Sequence, residues 1–201
     1  MMPLSQILSR LKQARKGAAL IEFALIAPIF MILLMGSFDL GYSVFMRSTL
    51  NGAVAAAARA STLETAPASV SAIDEQVRDQ VHNINNQAQL TFERTSYFDF
   101  ADVARPEVIV TDNNSDGFCD TGETFEDENG NGTWDADIGE AGIGGPRDIV
   151  RYRVTMQYPR IFPLYSLLGF SQTGEMVHES VLRNQPYGQQ DNPPEVTTET
   201  C

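Results

Sequence analysis

The chain has 201 residues, with 14 Lys and Arg against 26 Asp and Glu and a net charge of −12, which fits one modest domain with length left for an anchor or a tail. Residues 112–140 hold ten acids and no base, while residues 1–17 hold four bases and no acid. Beyond those first residues there is no basic face for a phosphate backbone, so nucleic acid is excluded as a partner; two Cys exclude a multi-disulfide scaffold or a Cys-rich zinc site, and His82 and His178 lie too far apart for ligand spacing.

Ala18 to Phe38 is a run of 21 residues with one charge, Glu22. As a helix it is about 31 Å long, close to the hydrocarbon thickness of a bilayer. Arg10, Lys12, Arg15 and Lys16 precede it and Asp39 follows it, an asymmetry that keeps the N-terminus cytoplasmic and exports the rest. A secretory signal has a shorter apolar core and a small-residue cleavage site; here the core is long and no such site follows. A plain signal anchor fits the length and flanks but leaves Glu22 unexplained. A carboxylate at that depth costs roughly 2.5–3.5 kcal/mol on insertion scales and calls for a partner. Pro28 removes one helical hydrogen bond and reads as a bend point rather than a site.

Basic residues, then Gly17, then an apolar helix with Glu22 at the fifth position after that Gly form the pattern of a type IV prepilin. The stretch Arg15–Phe30 carries a Glu-Phe-Ala-Leu core from Glu22 and places Pro28 six residues after it. A Gly-Ser-Phe-Asp-Leu-Gly stretch follows at 36–41, and an Ala-rich continuation runs from Asn51 to Arg59. Over about residues 15–60 the chain resembles the TadE-type minor pseudopilins of the Tad (Flp) pilus. The resemblance implies a leader, 1–17, that a prepilin peptidase removes between Gly17 and Ala18. The freed amine of Ala18 then meets Glu22 of a neighbouring subunit, and a buried charge that is paired is tolerable. It implies other pilin and pseudopilin subunits, the prepilin peptidase and the inner membrane as partners. Before assembly the chain is a single-pass inner-membrane protein with a periplasmic domain; afterwards it is extracellular in the pilus. Phe23, where major Flp pilins carry Tyr, and the large exported region favour a minor component acting in assembly or at the tip in surface adhesion.

The helix is expected to run on to residue 62, with Tyr42, Phe45, Met46, Leu50 and Val54 near helical spacing. Pro67 breaks it, and Ser69 or Ser71 caps a second helix over 70–89, with Val70, Ile73, Val77, Val81, Ile84 and Ala88 on one side and His82 solvated. Thr91–Phe98, Glu107–Thr111, Ile149–Tyr158 and Glu175–Arg183 then read as strands. The fold class is α+β: a long transmembrane, pilin-like helix, a second helix and a small antiparallel sheet with an inserted calcium-binding loop, the exported domain spanning 63–183. Residues 159–174 read as a short helix or a loop plugging the core, and the polar, Pro-containing residues 184–201 as a disordered tail.

Residues 112–123 match a twelve-residue EF-hand-type loop: Asp112, Asn114, Asp116, Gly117, Asp120 and Glu123 fill positions 1, 3, 5, 6, 9 and 12, and Phe118 offers its carbonyl at 7. A second loop sets Asp127, Asn129, Asn131, Gly132 and Asp135 at positions 1, 3, 5, 6 and 9, with the carbonyl of Thr133 at 7. Its twelfth residue, Ile138, cannot ligate, so Asp137 or Glu140 is expected to substitute. Calcium takes six to eight oxygens in flexible geometry, and the insert at 112–140 is expected to be ordered by it in a structural role. Flanking helices are not evident. Cys119 and Cys201 both fall on the exported side, where a disulfide can persist, and are candidates to pair. The acids are spaced for a cation rather than as an acid–base pair, and no nucleophile triad or phosphate loop is present, so no enzymatic activity is expected. The alternative to the pilus subunit is a membrane-anchored, calcium-binding adhesin that does not polymerise.

Overall fold

A computed structural model describes residues 16–61, 70–167, 169–186 and 188–201. Most of the leader 1–17, and the expected break at Pro67 with the cap at Ser69, lie outside the described residues. In chain order, α1 is Lys16–Ser61, α2 Val70–His82, β1 Gln89–Tyr97, β2 Ile109–Thr111, β3 Thr124–Asp127, β4 Glu140–Ala141, β5 Ile149–Pro159, α3 Leu164–Leu167, β6 Thr173–Arg183 and β7 Thr197–Thr200. The chain forms two compact units, Met1–Phe45 with Arg160–Thr173, and Met46–Pro159 with Gly174–Cys201.

In the first unit α1 runs unbroken through Pro28. Its apolar side chains stand bare, with Leu20 72 % and Phe23 69 % exposed. Asp39 differs from them in being buried. Its Oδ2 accepts from Nη1 of Arg160 at 3.0 Å, and the Arg160 guanidinium lies 3.8 Å from the ring centre of Tyr165. Gln172 closes the base of the loop: its Nε2 donates to the carbonyl of Phe162 at 2.7 Å, and its backbone carbonyl accepts from the backbone N–H of Arg160 at 2.9 Å. Residues 159–174 therefore do contain a short helix, but they do not plug a core, since Leu167 and Phe170 are exposed.

In the second unit, β5 is central in a four-stranded sheet of order β4-β1-β5-β6. It pairs antiparallel with β1 from Gln89 opposite Gln157 to Tyr97 opposite Ile149. Alternation turns Tyr152, Val154, Met156 and Tyr158 to the buried side. The rest of the core comes from Met46, Leu50 and Val54 of α1 and from Ile73, Val77 and Val81 of α2. The spacing of these residues gives α2 one apolar face. α2 stops at His82, short of the expected 89, because a turn follows in which the His82 ring bonds the carbonyl of Ala88 at 2.9 Å. His82 is thus partly buried and engaged rather than solvated.

The expected single sheet is two. A second, three-stranded sheet of order β2-β3-β7 is built largely from the acidic insert and the tail. Residues 184–201, expected to be disordered, end in β7, whose Thr197–Thr200 pair with β3 from Asp127 to Thr124. A polar strand with no buried side chain gains its order from backbone pairing and from the covalent link at its end, neither of which composition registers.

Asp74 on α2 ties that helix to the large sheet. Its carboxylate accepts from both Nη atoms of Arg94, at 3.0 and 2.5 Å, and from the Tyr152 hydroxyl at 2.8 Å. The Arg94 guanidinium also lies over the Tyr152 ring, 4.3 Å from its centre. Removing one partner of a buried pair strands the other. Asp74→Ala is therefore expected to lower stability by about 3 kcal/mol, read as the midpoint shift in urea unfolding at constant slope. Glu75→Ala, which loses only the exposed contact to Arg78, is expected to leave the midpoint nearly unchanged.

Candidate functional sites: an apolar pilin-type helix and a carboxylate-rich double loop

Among the described residues, one helix is long and apolar enough to cross a membrane, over Ala19–Ser61. Glu22 sits on the bare part of that helix beside Ile21 and Phe23, and is itself exposed. Gly17 lies in the first turn of α1 and is exposed, and Ala18 follows it in the helix. Gly17, Ala18 and Glu22 therefore share one helical segment.

The two acidic loops take the same backbone course. In the first, which joins β2 to β3, Asp112 accepts from the N–H groups of Ser115 at 2.5 Å and Gly117 at 3.2 Å. In the second, Asp127 accepts from Gly130 at 2.7 Å, Asn131 at 3.2 Å and Gly132 at 2.8 Å. The sixth positions, Gly117 and Gly132, have φ of +78° and +75°, a left-handed turn that a Cβ disfavours. The amide of Asn114 donates to Asp116 and Asp120, both at 3.0 Å. Those of Asn129 and Asn131 both donate to Asp135, at 2.9 and 2.5 Å. Phe118 and Trp134 meet edge to face, ring centres 5.9 Å apart, so the loops lie side by side.

The twelfth position separates them. In the first loop Glu123, buried, accepts from the N–H of the second residue, Asn113, at 2.8 Å and of the ninth, Asp120, at 2.9 Å. In the second loop the N–H groups of the second and ninth residues, Glu128 and Asp135, both donate at 2.9 Å to Glu107, also buried. Glu107 lies twenty residues before the loop begins. It arrives because β2 pairs with β3, and the N–H of Glu126 donates to the carbonyl of Val108 at 2.8 Å. Linear spacing cannot find this residue; the only trace in the sequence is an acid leading into a strand. Asp137, expected at the end of the second loop, is instead held by the Tyr97 hydroxyl at 3.0 Å and by Nη2 of Arg151 at 2.7 Å. Burial, helped by that bond to Asp137, pushes the Tyr97 hydroxyl up to about 12. Glu140 pairs through β4 with Ser96 and its side chain is exposed.

Burial holds the Glu107 carboxyl above the ordinary carboxylate range, and nearby Asp127 adds to this against the backbone N–H groups. Glu128, by contrast, is held low by the paired bonds of Arg105 at 2.7 and 2.6 Å. Among the described residues no Lys or Arg pairs with Glu107, Asp112, Glu123 or Asp127. No group of three or more His, Cys, Asp and Glu side chains among the described residues is gathered as a metal centre; the carboxylates face backbone N–H groups.

Residues 17–59 match the family model described as TadE-like protein. The chain carries a TadE-like domain. No curated protein and no solved structure matches the chain. The TadE-like domain is pilin-related and lies within α1, ending two residues before the helix does. The two sheets and both acidic loops lie outside it.

A disulfide joins Cys119, in the first loop, to Cys201, with the Cα atoms 5.8 Å apart and a sequence separation of 82. The N–H of Cys201 donates to the carbonyl of Glu123 at 3.1 Å. A closed loop of that length disfavours the unfolded chain by about 4.5 kcal/mol in the chain-entropy view. Cys201→Ser is expected to free β7: hydrogen exchange should show Thr197–Thr200 losing protection while β1 and β5 keep theirs. Unchanged protection at 197–200 would mean that backbone pairing alone holds the strand.

Proposed function

We propose that the chain is a minor, TadE-type structural subunit of a Tad pilus, cut by a prepilin peptidase between Gly17 and Ala18 and acting in pilus assembly or at the tip in surface adhesion. The observation that carries this is Glu22 on a bare apolar helix at the fifth position after Gly17, within the TadE-like domain. In the membrane α1 anchors the chain with its exported region in the periplasm. In the filament the same surface packs against other pilin and pseudopilin helices. There Glu22 meets the Ala18 amine of a neighbour, which turns a costly buried charge into a pair.

Mass spectrometry of the chain from cells with active prepilin peptidase is expected to give an N-terminus at Ala18; an intact Met1 start overturns the proposal. Glu22→Ala is expected to stay inserted in the membrane yet vanish from the sheared pilus fraction. Equal recovery of the variant in membrane and pili would favour the non-polymerising anchored adhesin instead.

The acidic insert binds calcium as a structural element in this proposal. The donor set fits: oxygens at alternate positions, left-handed Gly at both sixth positions, and the buried carboxylates of Glu107, Glu123 and Asp127 with no cationic side chain paired to them among the described residues. Asp112, Asn114, Asp116, Asp120 and Glu123 with the Phe118 carbonyl hold one ion. Asp127, Asn129, Asn131, Asp135 and Glu107 with the Thr133 carbonyl hold the other, Glu107 taking the place first given to Asp137. Calcium supplies the positive charge that these carboxylates lack. Titration calorimetry of the detergent-solubilised chain should show both loops filling at millimolar calcium or below, and Glu107→Gln losing one ion while the other remains. No binding in the wild-type chain removes calcium from the account. Loss with Asp137→Asn but not with Glu107→Gln returns the twelfth position to Asp137.

A further inference from the structure

Residues 161–170 form a ten-residue stretch without a charged side chain. Ile161 is 54 %, Leu167 78 % and Phe170 66 % exposed. One exposed Leu is ordinary, but three large apolar side chains on one short loop mark a contact surface.

Two observations select what covers it. First, the loop belongs to the same compact unit as the bare apolar part of α1. Its base, closed between Arg160 and Gln172, is fixed to α1 through the Arg160–Asp39 pair. Asp39 is the residue at which the apolar run from Ala18 ends, so the loop is held where a spanning helix leaves the hydrocarbon. Second, the residues at its base suit that depth. An Arg stacked on Tyr, each with a polar tip and an apolar body, belongs at the headgroup level of a bilayer, and Arg160 lies on Tyr165 in this way. The pair also accounts for a buried Asp on the part of α1 before Met46, where the other described side chains are exposed or half-buried: Asp39 is the docking point of the loop.

We propose that the loop 160–173 is a second membrane contact, inserting Ile161, Leu167 and Phe170 into the lipid headgroup–acyl boundary on the side where α1 emerges. It is an interfacial contact rather than a span, since the stretch is too short to cross. With α1 it gives the chain two points of attachment, which fixes the rotation of α1 about its axis as well as its depth. This rests on the proposed membrane-spanning role of α1.

The test places single tryptophans at exposed positions of the full-length chain in a Trp134→Phe background. The chain is reconstituted into phosphatidylethanolamine–phosphatidylglycerol vesicles whose acyl chains are brominated either near the headgroup or near the bilayer centre. Leu167→Trp is expected to lose most of its emission to the shallow bromine and to emit to the blue of Val110→Trp, which lies on β2 and should be quenched by neither lipid. Ile29→Trp should be quenched by the deep bromine. If Ile29→Trp is quenched and Leu167→Trp behaves like Val110→Trp, the loop contact is wrong and the span stands. If Ile29→Trp also escapes quenching, the span fails and the loop contact with it. Protection of Leu167→Trp from aqueous acrylamide without quenching by either bromine means that a second copy of the chain covers the loop, and overturns the lipid contact.

Discussion

Apolar surface on α1 that nothing among the described residues covers is the constraint on which the rest depends. Side chains such as Leu20, Phe23 and Leu33 are more than half exposed, and each large one left in water forgoes about 1.5–3 kcal/mol. Such a helix requires hydrocarbon or other helices around it. Both surroundings make a lone carboxylate expensive, which gives Glu22 its meaning. In the proposed filament, the acid that is a liability in lipid is an orienting contact with the free amine opposite.

Asp39 meets a related difficulty inside one chain. It is an acid at the end of the apolar run, and Arg160, brought from far along the sequence, satisfies one of its oxygens while the other has no hydrogen-bond partner among the described residues. The pair joins the loop to one position on the helix. Directional bonds fix position where apolar contact does not.

The insert solves a different problem, that of giving shape to a segment with little apolar content. Phe125 is its one fully buried large side chain among the described residues. Otherwise order comes from carboxylates capping backbone N–H groups, from two edge-to-face rings, from β7 and from the bond between Cys119 and Cys201. This leaves Glu107, Glu123 and Asp127 buried against backbone N–H groups, with no Lys or Arg paired to them among the described residues. Burial above all, with Asp127 nearby, holds the Glu107 carboxyl above the ordinary carboxylate range.

Whatever depends on neighbours along the chain was legible from residue order alone. The apolar run and its acid, the Gly at each sixth loop position, the face of α2 and the alternation of β5 were legible because helical, strand and loop periodicities are local. Even the twin loops could be aligned by counting. Folding added the partners that arrive from a distance: Glu107 beside the second loop, Asp137 drawn away by Tyr97 and Arg151, Arg160 on Asp39, and a polar tail made into a strand. These come from the register of β2 on β3, of β3 on β7 and from a closed loop base. Composition says nothing about such registers, since side chains of the same type are available at many positions and only the paired backbone selects among them.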